Sequence, residues 1–122
     1  MNALFVFLGG GIGSLTRYGI GLFIGSFYAQ PFPLGTLISN VLSCILLALL
    51  TVGFADKVAT FNWIQPLLIV GFCGGFSTFS TFSAETVTLL QAGNYWIALI
   101  NVLVSLLTGI GLVYLVLNSQ NN

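Results

Sequence analysis

Between Gly71 and Glu85 the chain reads GFCGGFSTFSTFSAE. Ser77, Thr78, Ser80, Thr81 and Ser83 bring a run of hydroxyls, which donate hydrogen bonds without carrying charge. Phe76, Phe79 and Phe82 recur every three residues, a spacing that lays side chains on nearly one face of a helix, with Ser77, Ser80 and Ser83 on the neighbouring stripe. The edge of a phenylalanine ring bears the positive part of its quadrupole. Ring edges beside hydroxyls replace part of an anion's water without trapping it by full charge, and conduction requires that compromise. The same residues also suit helix packing, because small and hydroxyl-bearing side chains are common where membrane helices meet. Spacing alone leaves both readings open.

The glycines ahead of this run point to a second kind of site. Gly71, Gly74 and Gly75 followed by Ser77 and Thr78 make a poor continuous helix, since each glycine costs about 1 kcal/mol relative to alanine. The expected outcome is a helix broken near its middle, with exposed carbonyls at the break and free N–H groups opening its second half. Carbonyls facing a symmetry mate suit a small cation, and the N–H end suits an anion.

Other polar residues are few. Asn40, in GTLISNVLS, is either an interhelical hydrogen-bond partner or a pore-lining donor. Asn101, Ser105 and Thr108 share one face of a later helix and carry the same two readings. Arg17 is costly at membrane depth and so is a functional candidate by default, with snorkelling or the tying of helix ends as its structural alternative. Glu85 lies about two turns past the break, where it caps, pairs or lines a vestibule. Cys44 and Cys73 sit in apolar runs and read as small packing residues rather than as a disulfide or metal pair.

The elements that must position these residues follow from composition. Only 3% of the 122 residues are charged and 57% are hydrophobic, whereas a soluble domain carries about 25% charged residues. Arg17, Asp56, Lys57 and Glu85 cannot keep a folded surface in water, so the chain is an integral membrane protein. The absence of a basic patch argues against nucleic-acid binding, and the absence of histidine excludes a histidine-based triad or a catalytic metal cluster. The chain is therefore not read as an enzyme. Four apolar stretches reach the roughly 20 residues a bilayer demands, at about 3–27, 34–54, 63–90 and 95–117, within a single domain. QPFP at 30–33 and QAGN at 91–94 are turns, and ADKVAT is the polar loop after the second span. Trp63, Tyr95, Trp96 and Tyr114 fall at span ends, as an aromatic belt requires. The N-terminal MNALFVFLGGGIG has no basic lead-in and reads as the start of a retained span.

Four spans put both termini on one side of the membrane. The loops at 28–34 and 91–94 carry no lysine or arginine, and the loop at 55–62 carries only Lys57 beside Asp56. Topological bias is therefore near zero. Either the chain inserts both ways and pairs antiparallel with itself, or a partner fixes its orientation.

With these motifs in view, the sequence resembles the Fluc, or CrcB-type, fluoride channels of microbes. GGGIGSLTRY at 9–18 is similar to their first-span glycine and arginine motif, GTLISN at 35–40 to their GT-x-x-x-N motif, and GFCGGFSTFSTFSAE to their third-span signature. The resemblance covers all four spans in order. It implies an all-α membrane protein with four transmembrane helices and a broken third helix, assembled as an antiparallel dual-topology homodimer in the cell membrane. It also implies a passive channel that exports fluoride, surrounded by lipid, with a structural sodium ion at the dimer interface. Carried over by residue, Phe79 and Phe82 turn their ring edges to fluoride, Asn40 is the pore asparagine, and Ser80 and Thr81 form a hydroxyl track. Ser105 and Thr108 join the expected fluoride path from the fourth span. The carbonyls of Gly74 and Ser77 are the expected sodium ligands, two from each copy, while Arg17 and Glu85 match vestibule or structural charges. Two residues depart from the family pattern: Ser77 replaces a usual threonine, and Ser43 a usual glycine whose absence puts close packing of the second span in question.

Two other functions share parts of this pattern. A small drug/proton antiporter also uses four short spans, but it needs an acid in the first span, where this chain has Arg17. A non-transporting scaffold leaves the hydroxyl stripe without a purpose.

Overall fold

The computed structural model describes residues 1–122 as helices and turns, without a strand. Helix α1 spans Asn2–Gly25, α2 Leu34–Gly53 and α3 Ala55–Thr60. A π-helical segment, Gln65–Cys73, leads into the single turn α4, Gly74–Phe76, and then come α5, Phe79–Gln91, and α6, Tyr95–Asn118. Four helices are long and apolar enough to cross a membrane: Asn2–Gly25, Leu34–Gly53, Gln65–Gln91 and Tyr95–Asn121. The chain is a multi-pass membrane protein.

Local chemistry sets the boundaries. Pro66 sits in the first turn of the π-helical segment, where a missing N–H costs nothing. At the other end of that span, α5 stops at Gly93, whose φ of 80° lies in the left-handed region that glycine tolerates. The Gly93 amide donates to the Leu90 carbonyl (3.1 Å) and the Asn94 amide to that of Leu89 (2.9 Å), which satisfies the last turn in a Schellman pattern. ADKVAT, read as a polar loop, forms the short helix α3. Asp56 lies in its first turn, where a negative charge suits the helix dipole, and Lys57 Nζ rests 5.0 Å from the Phe54 ring centroid.

Helix α1 packs chiefly on the π-helical segment, and α2 on α6. Glycine makes the first contact possible. A Cβ at Gly9 would strike the Leu67 carbonyl oxygen, one at Gly13 that of Phe72, and one at Gly75 that of Gly10. Two backbones therefore lie directly against each other, as small residues allow between membrane helices. The bare surface of α1 also gives room for the wider bore of i→i+5 winding.

Little of the single chain is interior: 15 of 122 residues are buried. Phe7, Leu15, Leu107 and Ile110 face outward, as do Trp63, Tyr95, Trp96 and Tyr114. Such a surface requires lipid or another apolar surface around it.

Past α4 the backbone leaves the helix for two residues. Ser77 has φ −81° and ψ 158°, and Thr78 has φ −150° and ψ 120°. This overturns the single stripe expected of Phe76, Phe79 and Phe82. Phe76 belongs to the turn before the extended pair, is buried, and sets its ring 5.5 Å from that of Phe72. Phe79 and Phe82 form their own pair beyond it, with ring centroids 6.0 Å apart. Three-residue spacing holds side chains on one face only while the helix is continuous.

Candidate functional site

The extended pair creates main-chain groups without helical partners, and α2 supplies what they need. Asn40 Oδ1 accepts from the Thr78 amide at 2.7 Å, while Asn40 Nδ2 donates to the Thr78 carbonyl at 3.2 Å. One amide side chain thus replaces two ladder hydrogen bonds. The second N–H of Asn40 is not used by Thr78. Thr78 in turn caps α5, its Oγ1 accepting from the Thr81 amide at 3.1 Å. One turn along α2, Ser43 is buried and its hydroxyl donates to the Cys73 carbonyl at 2.9 Å; the Ser77 hydroxyl donates to the same oxygen at 3.0 Å. The serine that replaces a usual glycine therefore packs closely and fastens α2 to the start of the break.

Around this pair lies a cavity of about 550 Å³. Its wall includes Phe79, Phe82, Asn40, Ser77 and Thr78, together with Ser105 of α6, Cys44 and Tyr114. None of its lining residues is charged. Phe79 is 78% exposed, while Phe82 is half-buried. The cavity thus offers ring surface, hydroxyls and an amide, a set that can replace an ion's hydration without fixing it.

A second, smaller cavity of about 360 Å³ lies among α1, α2 and α5. Arg17, Glu85, Thr36, Ser39 and Thr81 share its wall. The Thr36 hydroxyl donates to Glu85 Oε1 at 2.8 Å, while Glu85 Oε2 and the fully buried Ser39 hydroxyl have no protein partner. Arg17 reaches across to the third span, its Nε donating to the Gly75 carbonyl at 3.2 Å, and the Ser14 hydroxyl points to the same oxygen at 3.5 Å.

The expected site residues therefore divide. Asn40, Phe79, Phe82, Ser77 and Ser105 meet at the larger cavity, and Arg17, Glu85 and Thr81 meet at the smaller one. Ser80 is exposed, its hydroxyl 3.3 Å from that of Thr78, and lines neither cavity. Thr108 also lies outside both walls, with its hydroxyl turned back on the Val104 carbonyl one turn earlier. Asn101 is buried and takes the interhelical role, its Nδ2 donating to Thr86 Oγ1 at 3.0 Å.

The carbonyls at the break have unequal fates. Those of Cys73, Gly75 and Thr78 receive side-chain donors. Among the main-chain hydrogen bonds outside the helices, none ends on the carbonyl of Gly74, Phe76 or Ser77. A Cβ built on Gly74 meets nothing within 4 Å, so this residue borders open space. Oxygen-only donors of this kind fit a hard cation such as sodium.

Thr36, Ser39 and Ser14 escaped the sequence reading. A signal existed for two of them: Thr36 with Asn40, and Ser39 with Ser43, repeat at i, i+4 on α2. That spacing marks a polar face turned toward the third span.

Comparison with known proteins agrees over nearly the whole chain. The family model described as CrcB-like protein, Camphor Resistance (CrcB), matches residues 4–117. A relative from Coxiella burnetii, named fluoride-specific ion channel FluC, is 40% identical over 106 residues, covering 86% of each chain. Relatives of the same name are 39% identical over 114 residues in Solibacter usitatus, covering 93% of each chain, and 44% identical over 107 residues in Escherichia fergusonii, covering 85% of this chain and 81% of that one.

Proposed function

The chain belongs to the CrcB-like protein family, and we propose that it is a fluoride-selective channel of the cell membrane that lets fluoride leave the cell down its electrochemical gradient. The observation that carries this reading is the uncharged cavity whose wall brings Phe79 and Phe82 together with Ser105, Asn40 and the hydroxyl-bearing Ser77 and Thr78. An anion entering it exchanges water for ring edges, hydroxyls and the spare N–H of Asn40. No lysine or arginine is present there to hold it, so it can also leave.

The working unit of this reading is an antiparallel dual-topology homodimer. Its support is the near absence of loop charge, which lets one sequence insert both ways, and the large apolar surface of the single chain. Two copies meet at the interruption of the third helix. There the carbonyls of Gly74 and Ser77 from each copy hold a sodium ion, which supplies a fixed positive charge and joins the subunits. The open space beside Gly74 supports this assignment. A drug/proton antiporter would need an acid in the first span, where this chain carries Arg17.

The test is ion efflux from liposomes containing the purified protein, read with a fluoride-selective and a chloride-selective electrode. Rapid fluoride release with chloride retained is the expected result. Comparable chloride release, proton-coupled substrate flux or no flux overturns the reading.

A further inference from the structure

Arg17 has no place in the conduction cavity, and its geometry suggests a different task. Gly75 is pinned from two sides by α1. Its Cα face lies so close to Gly10 that a Cβ would strike the Gly10 carbonyl, and its own carbonyl receives Arg17 Nε and faces the Ser14 hydroxyl. Gly74, one residue earlier, meets nothing on its corresponding side. The neighbouring carbonyls of Cys73 and Thr78 are also engaged, by Ser43 and Ser77 and by Asn40. Side chains from α1 and α2 thus take up every second or third oxygen along the break, and the carbonyls of Gly74 and Ser77 are among those left over.

We propose that Arg17, assisted by Ser14, is a positioning residue for the cation site: it holds the Gly75 carbonyl against α1 and so presents the Gly74 and Ser77 carbonyls to the ion. This rests on the sodium site of the proposed function. A guanidinium suits the task because it is always protonated and makes charge-assisted hydrogen bonds, which are stronger than neutral ones. Without it the Gly75 oxygen is free to rotate toward the ion, and the two ligating carbonyls lose their fixed direction. The rival role for a half-buried cation beside this cavity, gathering anions from water, predicts something different. Loss of an anion-gathering charge raises the fluoride concentration needed for half-maximal flux. Loss of a positioning contact raises the sodium concentration needed.

The experiment is fluoride efflux from liposomes at graded sodium, with N-methylglucamine as the replacement cation, for the unmodified protein, Arg17→Lys, Arg17→Gln and Ser14→Ala. Arg17→Gln raises the sodium concentration for half-maximal flux on the order of tenfold, the size of a coupling carried by one contact, and saturating sodium restores most of the flux. Arg17→Lys shifts it less, and Ser14→Ala, whose contact is long and whose folding is the safer, least. The fluoride concentration dependence stays unchanged in all three. Hydrogen exchange of the Thr78 amide, measured on the same dimers without any flux, is faster in Arg17→Gln. A sodium half-point within about twofold of the unmodified protein, or a raised fluoride half-point that lysine rescues, overturns the proposal. If flux of the unmodified protein ignores sodium, the cation site itself fails. Unaltered Thr78 exchange in Arg17→Gln would then overturn the positioning role on its own account.

Discussion

The side chain of Asn40 grips Thr78 by both main-chain groups, accepting from its amide at 2.7 Å and donating to its carbonyl at 3.2 Å. This double contact converts an unpaired stretch of backbone at membrane depth into a satisfied one, where each unmet group would otherwise be expensive. It also fixes the direction in which α5 departs, and with it the placement of Phe79 and Phe82.

Asn40→Ala removes both contacts at once. Leaving the Thr78 groups unpaired costs roughly 1–3 kcal/mol per group, so the thermal unfolding midpoint in detergent falls and fluoride efflux is largely lost. Asn40→Asp keeps the acceptor but replaces the donor by a negative charge in the cavity wall, and efflux falls further than stability does. Equal losses of efflux and stability in Asn40→Asp would contradict a direct part in the anion path.

Phe79→Ile and Phe82→Ile preserve apolar volume but remove the ring edge. Each cuts the rate of fluoride release from liposomes by about tenfold, equivalent to about 1.4 kcal/mol, because the positive ring edge facing the path is lost. Size-exclusion elution of the purified variants stays that of the unmodified protein. Undiminished release from both variants would remove the rings from the path.

Ser43→Ala deletes one of the donors to the Cys73 carbonyl and leaves the Ser77 hydroxyl and amide on the same oxygen. The stability cost is correspondingly small, about 0.6–1 kcal/mol, in the range of interhelical hydrogen bonds in membranes. Fluoride release stays near that of the unmodified protein. A large loss of release would show that Ser43 acts on the ion rather than on α2.

Two glycines separate packing within the chain from contact between chains. Gly13→Ala drives a methyl group into the Phe72 carbonyl, so α1 is displaced and the protein unfolds at lower temperature in detergent whether or not it is dimeric. Gly74→Ala meets nothing in the single chain. Its effect is expected only when two copies come together, as a shift from dimer to monomer in analytical ultracentrifugation. A Gly74→Ala dimer as stable as the unmodified one would move the interface elsewhere.

The membrane class and the number of spans were legible in the sequence because the apolar runs are long and almost free of charge. Glycine and hydroxyl content also drew attention to residues 71–85, which build the site. What could not be read was direction. Nothing in FSTFSTF tells that Phe76 turns back to Phe72 while Phe79 opens to a cavity, because that depends on two extended residues interrupting the period. Thr108 was misplaced for a related reason, since a threonine hydroxyl satisfied by its own helix looks the same in sequence as one lining a path. The partners of Arg17 and Glu85 lie 58 and 49 positions away, a separation at which pattern carries no information.

The winding of residues Gln65–Cys73 has a consequence of its own. An i→i+5 helix holds one more residue per hydrogen-bonded turn than an i→i+4 helix, so this segment stores surplus chain just upstream of the break. In an α-helix without such slack, losing one residue rotates everything downstream by about 100°. Here the wider winding can tighten toward i→i+4 and take up the loss, leaving Phe79 and Phe82 close to the face they now present. The segment is thus a reserve of length, and it makes the facing of the two rings tolerant of a change upstream that an ordinary helix would transmit in full.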